Sequence, residues 1–140
     1  MPDTTSLSAD RIKHLEFIQA TIIRFGNSSF LIKGWAFTVT AAFFAVQANK
    51  LTVALGLVAL VPVFAFWALD GYFLWQERLY RRLYDDVRGP ASAVEPMSMN
   101  TAGYRSLTSW WAAARSVTLV LAYGGLAVID LGLIVAALVR

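Results

Sequence analysis

The pattern of apolar positions near the N-terminus predicts an amphipathic helix. Between Asp10 and Phe25, apolar side chains recur at spacings of three and four residues, the period of one face of an α-helix. This face consists of Ile12, Leu15, Ile18, Ile22 and Phe25. Asp10 is the expected N-cap, and Gly26 with Asn27 is the expected stop. Such a helix lies in the head-group plane of a membrane, packs on its own protein, or binds a separate partner.

Three further segments have the length and apolar character of membrane spans. They are Phe30 to Ala48, Leu51 to Leu69, and Ser116 to Val139. A span needs about 20 residues at a rise of about 1.5 Å per residue. Because residues 49–50 form a short polar turn, residues 28–70 are predicted to be a transmembrane hairpin.

The second predicted span continues as a helix beyond its apolar part. Nothing breaks the helical pattern from Gly71 to Arg88, and Gly89 with Pro90 is a strong terminator. The extension carries an apolar stripe formed by Phe73, Tyr80, Leu83 and Val87. We expect this stripe to be an interface, since exposed apolar patches usually mark contacts. Its first candidate cover is the 10–25 helix, from the same chain or a neighbouring one.

These patterns divide the chain into four parts. Residues 1–27 hold the amphipathic helix, and residues 28–70 hold the hairpin. Residues 71–109 hold the helical extension and a small, polar surface loop. Residues 110–140 hold the third transmembrane helix. The predicted fold is therefore an all-α membrane protein with three transmembrane helices, an N-terminal amphipathic helix and an extension of the second span.

Composition supports the membrane class. Of 140 residues, 58% are hydrophobic and 15% are charged, whereas soluble domains have about 25% charged residues. A short soluble chain could not bury so much apolar surface. The net charge of +3 is too small and too scattered for nucleic-acid binding, and it suits contact with anionic lipid head groups. With no cysteine in the chain, a disulfide framework or a thiolate metal site is excluded.

The distribution of basic residues predicts the orientation. With the N-terminus in the cytoplasm, ten of the 12 lysines and arginines lie inside or at the inner edge. Only Lys50 and Arg140 lie outside. This asymmetry favours a bacterial inner-membrane protein with its N-terminus cytoplasmic and its C-terminus outside.

The sequence lacks the usual signs of an enzyme. The only histidine, His14, has no carboxylate or second histidine at metal-ligand spacing, and we expect it to be a surface residue. A glycine-rich phosphate loop, a metalloprotease helix and a nucleophile elbow are all absent from the sequence. We therefore expect no catalytic activity, no cofactor and no metal.

Two ionisable residues lie at the predicted cytoplasmic ends of the hairpin helices. Counted back from the turn, Lys33 and Asp70 differ in depth by about 6 Å, one helical turn. A lysine side chain can extend that far. The spacing predicts an interfacial ion pair that locks the hairpin, or a pair shared between subunits.

Asp130 lies deeper, about 15 Å from the outer end of the third span. Tyr123 and Ser116 precede it at steps of seven residues and form a polar stripe with it. Charge at this depth is costly, and three explanations remain open. Asp130 is protonated, or it is hydrogen-bonded to Thr38, Thr40 or another span, or it faces a water-filled interior. The third explanation implies an oligomer whose third helices line a cation-selective pore.

Several stretches resemble a widespread group of small bacterial three-span membrane proteins. They are LEFIQATIIRFGNSSFLIKGW, FWALDGYFLWQERLYRRLYDDV, PMSMN and SWW. The layout is also similar to SLATT-type membrane effectors of bacterial conflict systems, which pair a membrane hairpin with cytoplasmic helices. This chain adds a third span to that layout. The resemblance implies an effector that permeabilises the membrane when a partner senses infection.

The predicted function follows from the membrane class together with this resemblance. The lead hypothesis is a homo-oligomeric membrane effector in anti-phage defence, controlled by a cytoplasmic partner, with pore formation as its mode of action. Its partners would be the lipid bilayer, copies of itself and a cytoplasmic protein. The alternative is a non-conducting membrane anchor that recruits a soluble protein through the Phe73–Arg88 strip.

Overall fold

The computed structural model describes residues 8–139. Helix α1 (Ala9–Asn49) and helix α2 (Val53–Arg88) form a long antiparallel hairpin. A short 3-10 helix (Ala102–Tyr104) interrupts the following loop. Helix α3 (Trp110–Ala114) and helix α4 (Val117–Val139) complete the described part of the chain, which contains no strand.

Three of the helices, α1, α2 and α4, are long and apolar enough to cross a membrane. The prediction of an all-helical fold with three helices of membrane-spanning length and apolar character is therefore confirmed for the described residues. Helix α4 packs mainly against α2 and touches α1 only slightly. The bundle is thus organised around α2, which contacts every other helix that the structure describes.

The predicted boundary between an amphipathic helix and a first span is wrong, because α1 runs through it without a break. Gly26 and Asn27 lie inside the helix. A glycine in a helix interior costs only about 1 kcal/mol relative to alanine, and the packing of α1 along α2 on both sides outweighs that cost. At Gly26 an added Cβ would lie 3.7 Å from Glu77 Oε2 on α2, so the two helices are close at this point.

The predicted N-cap is also displaced. Ser8, not Asp10, caps α1, and its Oγ accepts a hydrogen bond from the backbone N–H of Arg11. Asp10 lies in the first turn, where its negative charge is favourable beside the positive end of the helix dipole. The shorter serine side chain reaches back to the free N–H groups, the usual role of an N-cap.

Helix α2 continues through Gly71 to Arg88, as its unbroken pattern predicts. Thr52 caps its start and Gly89 follows its end. Arg11 donates from Nε to the Val87 carbonyl at 2.6 Å, and its guanidinium also contacts the Gly89 carbonyl. The positive charge from α1 thus satisfies carbonyl groups at the negative end of α2.

The hairpin contains two apolar clusters. The first buries Leu15, Ile18 and Ile22 of α1 against Leu83 and Val87 of α2. The second buries Ala36 of α1, Val63 of α2, and Leu119, Tyr123 and Leu126 of α4. Only the second cluster includes α4. The part of the hairpin that holds the first cluster therefore extends past the three-helix part of the bundle, and it is called the two-helix arm below.

The loop after α2 is held against this arm. His14 is buried, and its Nε2 donates to the Ser98 carbonyl at 2.7 Å. The expectation of a surface histidine is therefore wrong, because the loop folds over it. Tyr104 donates to Asp86 at 2.6 Å, and Val94 and Met99 pack on the first apolar cluster.

Candidate functional site

A buried carboxylate joins three helices in the bundle. Asp70 of α2 has no exposed surface. Lys33 Nζ lies 2.6 Å from Asp70 Oδ2, and the Tyr123 hydroxyl of α4 donates to the same oxygen at 3.1 Å. The Ser29 hydroxyl of α1 donates to the other carboxylate oxygen, Oδ1. These four residues are called the Asp70 cluster below.

The Asp70 cluster places the two residues of the sequence-predicted ion pair in contact within one chain. Lys33 also donates to Ser29 at 2.8 Å, so the ammonium group has two partners. Its side chain keeps 24% of its surface exposed, whereas that of Asp70 keeps none. In this arrangement a cation and two hydroxyl donors replace the water that the buried carboxylate has lost.

Three side chains of α2 hold the segment that leads into α4. Trp67 Nε1 donates to the Ala114 carbonyl at 3.0 Å, and Trp75 Nε1 donates to the Thr108 carbonyl at 2.7 Å. Arg78 donates to the Ala112 carbonyl at 3.0 Å. At Gly71 an added Cβ would lie 3.3 Å from Ala114, so α3 packs directly on the α2 backbone. The start of α4 is therefore fixed relative to the Asp70 cluster.

A second buried carboxylate lies in the apolar part of α4. Asp130 has no exposed surface. Gln47 Nε2, near the end of α1, donates to Asp130 Oδ1 at 3.2 Å. Asp130 Oδ2 and Gln47 Oε1 are buried without a hydrogen-bond partner, and so is Thr40 Oγ1 on the same helix. Asp130 and Gln47 are called the Asp130 pair below.

The predicted polar stripe on α4 does not form one continuous surface. Tyr123 belongs to the Asp70 cluster, and Asp130 bonds to α1. Ser116 lies just before α4, is half-buried, and shares a hydrogen bond with the Thr118 hydroxyl at 3.4 Å. Asp130 is fully buried within one chain and hydrogen-bonded to another span, which favours the first two of the three explanations left open by the sequence.

The hydrogen-bond partner of Asp130 differs from those expected. Thr38 bonds to the Gly34 carbonyl of its own helix, and Thr40 has no partner. The sequence analysis missed Gln47 and Ser29. Gln47 is the only polar side chain between Thr40 and Asn49, and its position seven residues from Thr40 places both on one helical face. That spacing was the sequence signal that could have identified Gln47 as a partner for Asp130.

The apolar stripe of the α2 extension is covered by its own chain. Leu83 and Val87 are buried against α1, and Tyr80 stacks on Phe25 at 5.6 Å between ring centroids. Phe73 also contacts Phe25, at 6.1 Å. Of the covers considered, the 10–25 segment of the same chain is the one observed. The stripe is therefore core rather than a free surface for a separate partner.

Much of the apolar surface elsewhere stays exposed. A shallow groove between α2 and α4 is lined by apolar side chains and by one glycine: Val63, Phe64, Trp67, Leu119, Val120, Tyr123, Gly124 and Ala127. An added Cβ at Gly124 would meet no atom within 4 Å. On the two-helix arm, Ile12, Phe17 and Ile23 of α1 are about half exposed.

Within residues 8–139, no group of three or more histidine, aspartate or glutamate side chains is placed to hold a metal ion. Comparison with known proteins gave no match to a family model, to a curated protein or to a solved structure. The functional reading therefore depends on the geometry of this chain.

Proposed function

We propose that the protein is a homo-oligomeric effector of the bacterial inner membrane that permeabilises the membrane when a cytoplasmic partner acts on its two-helix arm. The observation that carries this proposal is the continuity of α1 and α2. Each helix is unbroken across an apolar half and a more polar half, with the polar half first in α1 and last in α2. Helix α1 alone has 41 residues and a length of about 60 Å, about twice the hydrocarbon thickness of a bilayer.

This continuity supports control at a distance. A force on the arm moves the transmembrane parts of α1 and α2, because no flexible joint separates them. The Asp70 cluster lies where the arm meets the three-helix part and joins α1, α2 and α4. A displacement of the arm would therefore reach α4 through this cluster.

The proposed orientation places the arm and the 89–109 loop in the cytoplasm. The basic residues of the arm and loop support it, since positive charge is enriched on the cytoplasmic side. Helix α3 begins with Trp110 and Trp111, the residue type that favours the membrane interface. A reporter that is active only outside the membrane should work at the C-terminus and fail at the N-terminus. The reverse result would overturn the orientation.

The groove between α2 and α4 supports self-association. Three spans cannot enclose a transport path, so a conducting form requires several copies. In lipid, helices associate through small residues that allow close backbone approach. Gly124 provides such a position inside an apolar groove, since an added Cβ there would meet no atom within 4 Å. We assign this groove to a second copy of the chain.

The absence of cysteine from the sequence allows a direct test of this contact. Single cysteines would be placed in the groove, at Val120 or Gly124, and on a lipid-facing control position, Val128. Val128 is 69% exposed and does not line the groove. Cross-linked dimers at the groove positions but not at the control would support the proposal. Equal cross-linking at all three positions, or none at the groove, would contradict it.

The effector role requires a leakage measurement. Cells that express the chain with a loosened Asp70 cluster, such as Tyr123→Phe, should lose membrane potential more readily than cells with the original chain. Val128→Ala serves as a control in the same helix. If neither chain changes ion flux in cells or in vesicles while both insert normally, the permeabilising role is wrong.

The alternative function is a non-conducting anchor for a soluble protein. The Phe73–Arg88 strip cannot be the docking surface of such an anchor, because α1 covers its apolar side chains. The exposed Ile12, Phe17 and Ile23 of α1 are the apolar surface that remains on the arm. We place the regulatory partner of the effector there, and the defence role rests on the resemblance to SLATT-type proteins.

A further inference from the structure

The Asp130 pair contains an unusual arrangement of acceptors. One hydrogen bond joins the two side chains, from Gln47 Nε2 to Asp130 Oδ1. The remaining oxygen of each side chain, Asp130 Oδ2 and Gln47 Oε1, is buried without a partner. A carboxylate oxygen and an amide oxygen can only accept hydrogen bonds. Both unpaired atoms therefore need a donor that the ionised form of the pair lacks.

Within the described residues 8–139, no other charged group is placed to stabilise an ionised Asp130. Residues 34–49 of α1, 53–69 of α2 and 124–139 of α4 contain no ionisable side chain except Asp130 itself. The nearest ionisable residue before it on α4 is Tyr123, whose hydroxyl is bonded to Asp70. Lys50 follows the end of α1 and is exposed. An unpaired charge in this apolar layer is costly.

We propose that Asp130 and Gln47 form a proton-binding site. The protonated carboxyl group donates its Oδ2–H to Gln47 Oε1, while Gln47 Nε2 donates to Asp130 Oδ1. A single proton, taken from water, closes a ring of two hydrogen bonds and satisfies both unpaired oxygens. When the proton leaves, both oxygens again lack a donor and the negative charge of the carboxylate is uncompensated.

This site controls a specific contact in the bundle. Within residues 8–139, the Asp130 pair is the only side-chain hydrogen bond between α1 and α4. The rest of α4 packs mainly on α2. Occupancy by a proton therefore determines whether the outer part of α4 is held against α1. The inference concerns the resting bundle and does not depend on the effector role.

Infrared spectroscopy of the purified protein in lipid nanodiscs tests the proposal directly. A protonated carboxylic acid has a carbonyl stretching band that a carboxylate lacks. We expect this band at neutral pH, a shift of the band in deuterated water, and its loss in Asp130→Asn. Asp86→Asn is the matched control, since Asp86 is exposed and its replacement should leave the band unchanged. Gln47→Leu should move the band to higher frequency, because the carbonyl loses its donor.

Thermal unfolding of the same samples supplies a second measurement. If the proposal holds, the melting temperature of the original chain should fall as the pH rises and the proton is lost. Asparagine retains a donor and an acceptor, so Asp130→Asn should keep the melting temperature and lack this decrease. Asp130→Leu should lower the melting temperature at every pH. Absence of the acid band at neutral pH from the original chain would overturn the proposal. Stabilisation by sodium with no acid band would assign the site to a cation instead.

Discussion

The two buried aspartates of the bundle have the same exposure but very different surroundings. Asp70 and Asp130 both have no accessible surface. Asp70 receives contacts from Lys33, Tyr123 and Ser29, whereas Asp130 receives one hydrogen bond, from Gln47. Burial alone therefore does not determine the chemistry of a carboxyl group in a membrane protein. The number and charge of its donors do.

The difference follows from the position of each residue along the hairpin. Asp70 lies near the junction with the polar arm, where Lys33 can keep part of its side chain exposed while it contacts the carboxylate. Asp130 lies beside stretches of α1 and α2 without a charged residue. At Asp70 a cation and two hydroxyl groups supply the donors. At Asp130 the proposed bound proton would supply the donor that the remaining acceptors lack.

The largest expected effect comes from removing the compensated carboxylate. Asp70→Leu leaves Lys33 without its counter-ion and removes the acceptor for Ser29 and Tyr123. Loss of one partner of a buried ion pair costs about 3–5 kcal/mol, and unfolding in mixed micelles would measure it. Tyr123→Phe, which removes one hydrogen bond, should cost about 1 kcal/mol.

A double variant distinguishes the ion pair from simple packing. Lys33→Met with Asp70→Leu removes both charges and should be more stable than Asp70→Leu alone. If the double variant is no more stable than Asp70→Leu, the two side chains do not compensate each other's charge. Asp70 and Asp130 would then not differ in the way described above.

The contact between Lys33 and Asp70 could be predicted because depth in a helical hairpin can be counted. Each residue adds about 1.5 Å, the turn at residues 49–50 sets the origin, and opposite charges in an apolar region attract. The three membrane-length helices could be predicted from the sequence as well, since long apolar runs have few alternative structures. The continuity of α2 through Gly71 followed from the lack of any breaker.

Other features depend on tertiary packing that a sequence does not display. Gly26 and Asn27 form a typical helix stop, but packing along α2 keeps α1 helical through them. Nothing in the sequence around His14 marks it as buried, yet a loop more than 80 residues away folds over it. Gln47 carries no charge, so it did not stand out as a partner for Asp130. Periodicity was enough to propose that the 10–25 segment covers the α2 stripe. It could not show whether that segment comes from the same chain or from a neighbouring one.

A medium effect is expected at the tight helix contact beside the Asp130 pair. An added Cβ at Gly56 of α2 would lie 2.3 Å from Ile134 Cγ1 of α4, one turn beyond Asp130. Gly56→Ala should therefore push α4 outward and cost about 1–3 kcal/mol. It should also weaken the Asp130 pair while leaving the Asp70 cluster intact.

Gly34→Ala is the matched control, because an added Cβ there meets no atom within 4 Å. It should be neutral or stabilising by up to about 1 kcal/mol, the difference in helix propensity. Combining Gly56→Ala with Ile134→Ala should cost less than the sum of the two single changes. Strict additivity would show that the two residues do not press against each other.

A smaller effect of opposite sign is expected at Thr40. Its hydroxyl is buried and has no partner, so Thr40→Val removes an unsatisfied group with almost no change in shape. The variant should gain about 1 kcal/mol, measured by unfolding in micelles. A loss instead would show that the hydroxyl has a partner in the membrane, and that the outer polar region extends beyond Asp130 and Gln47.

The smallest effect concerns a third carboxylate, Asp86, which lies outside the membrane-length part and is exposed. Because the side chain is exposed, solvent can supply the hydrogen bonds that the protein does not. Its one described side-chain partner is Tyr104, which donates to it at 2.6 Å. Burial raises the pKa of Tyr104 from 10.0 to about 12, and the hydrogen bond to Asp86 and its negative charge add to the shift.

Since the pKa of Tyr104 is higher in the folded protein than in the unfolded chain, the tyrosine stabilises the fold fully below pH 10 and loses this contribution as the pH rises towards about 12. Tyr104→Phe should therefore cost less than about 1 kcal/mol at neutral pH, because the bond is solvent-accessible. The difference in melting temperature between the two chains should shrink as the pH passes through this range. Other groups titrate equally in both chains and cancel from the comparison. A difference that stays constant would mean that Tyr104 contributes through packing alone. The hydrogen-bond donors of a carboxylate would then affect stability only at the two buried aspartates.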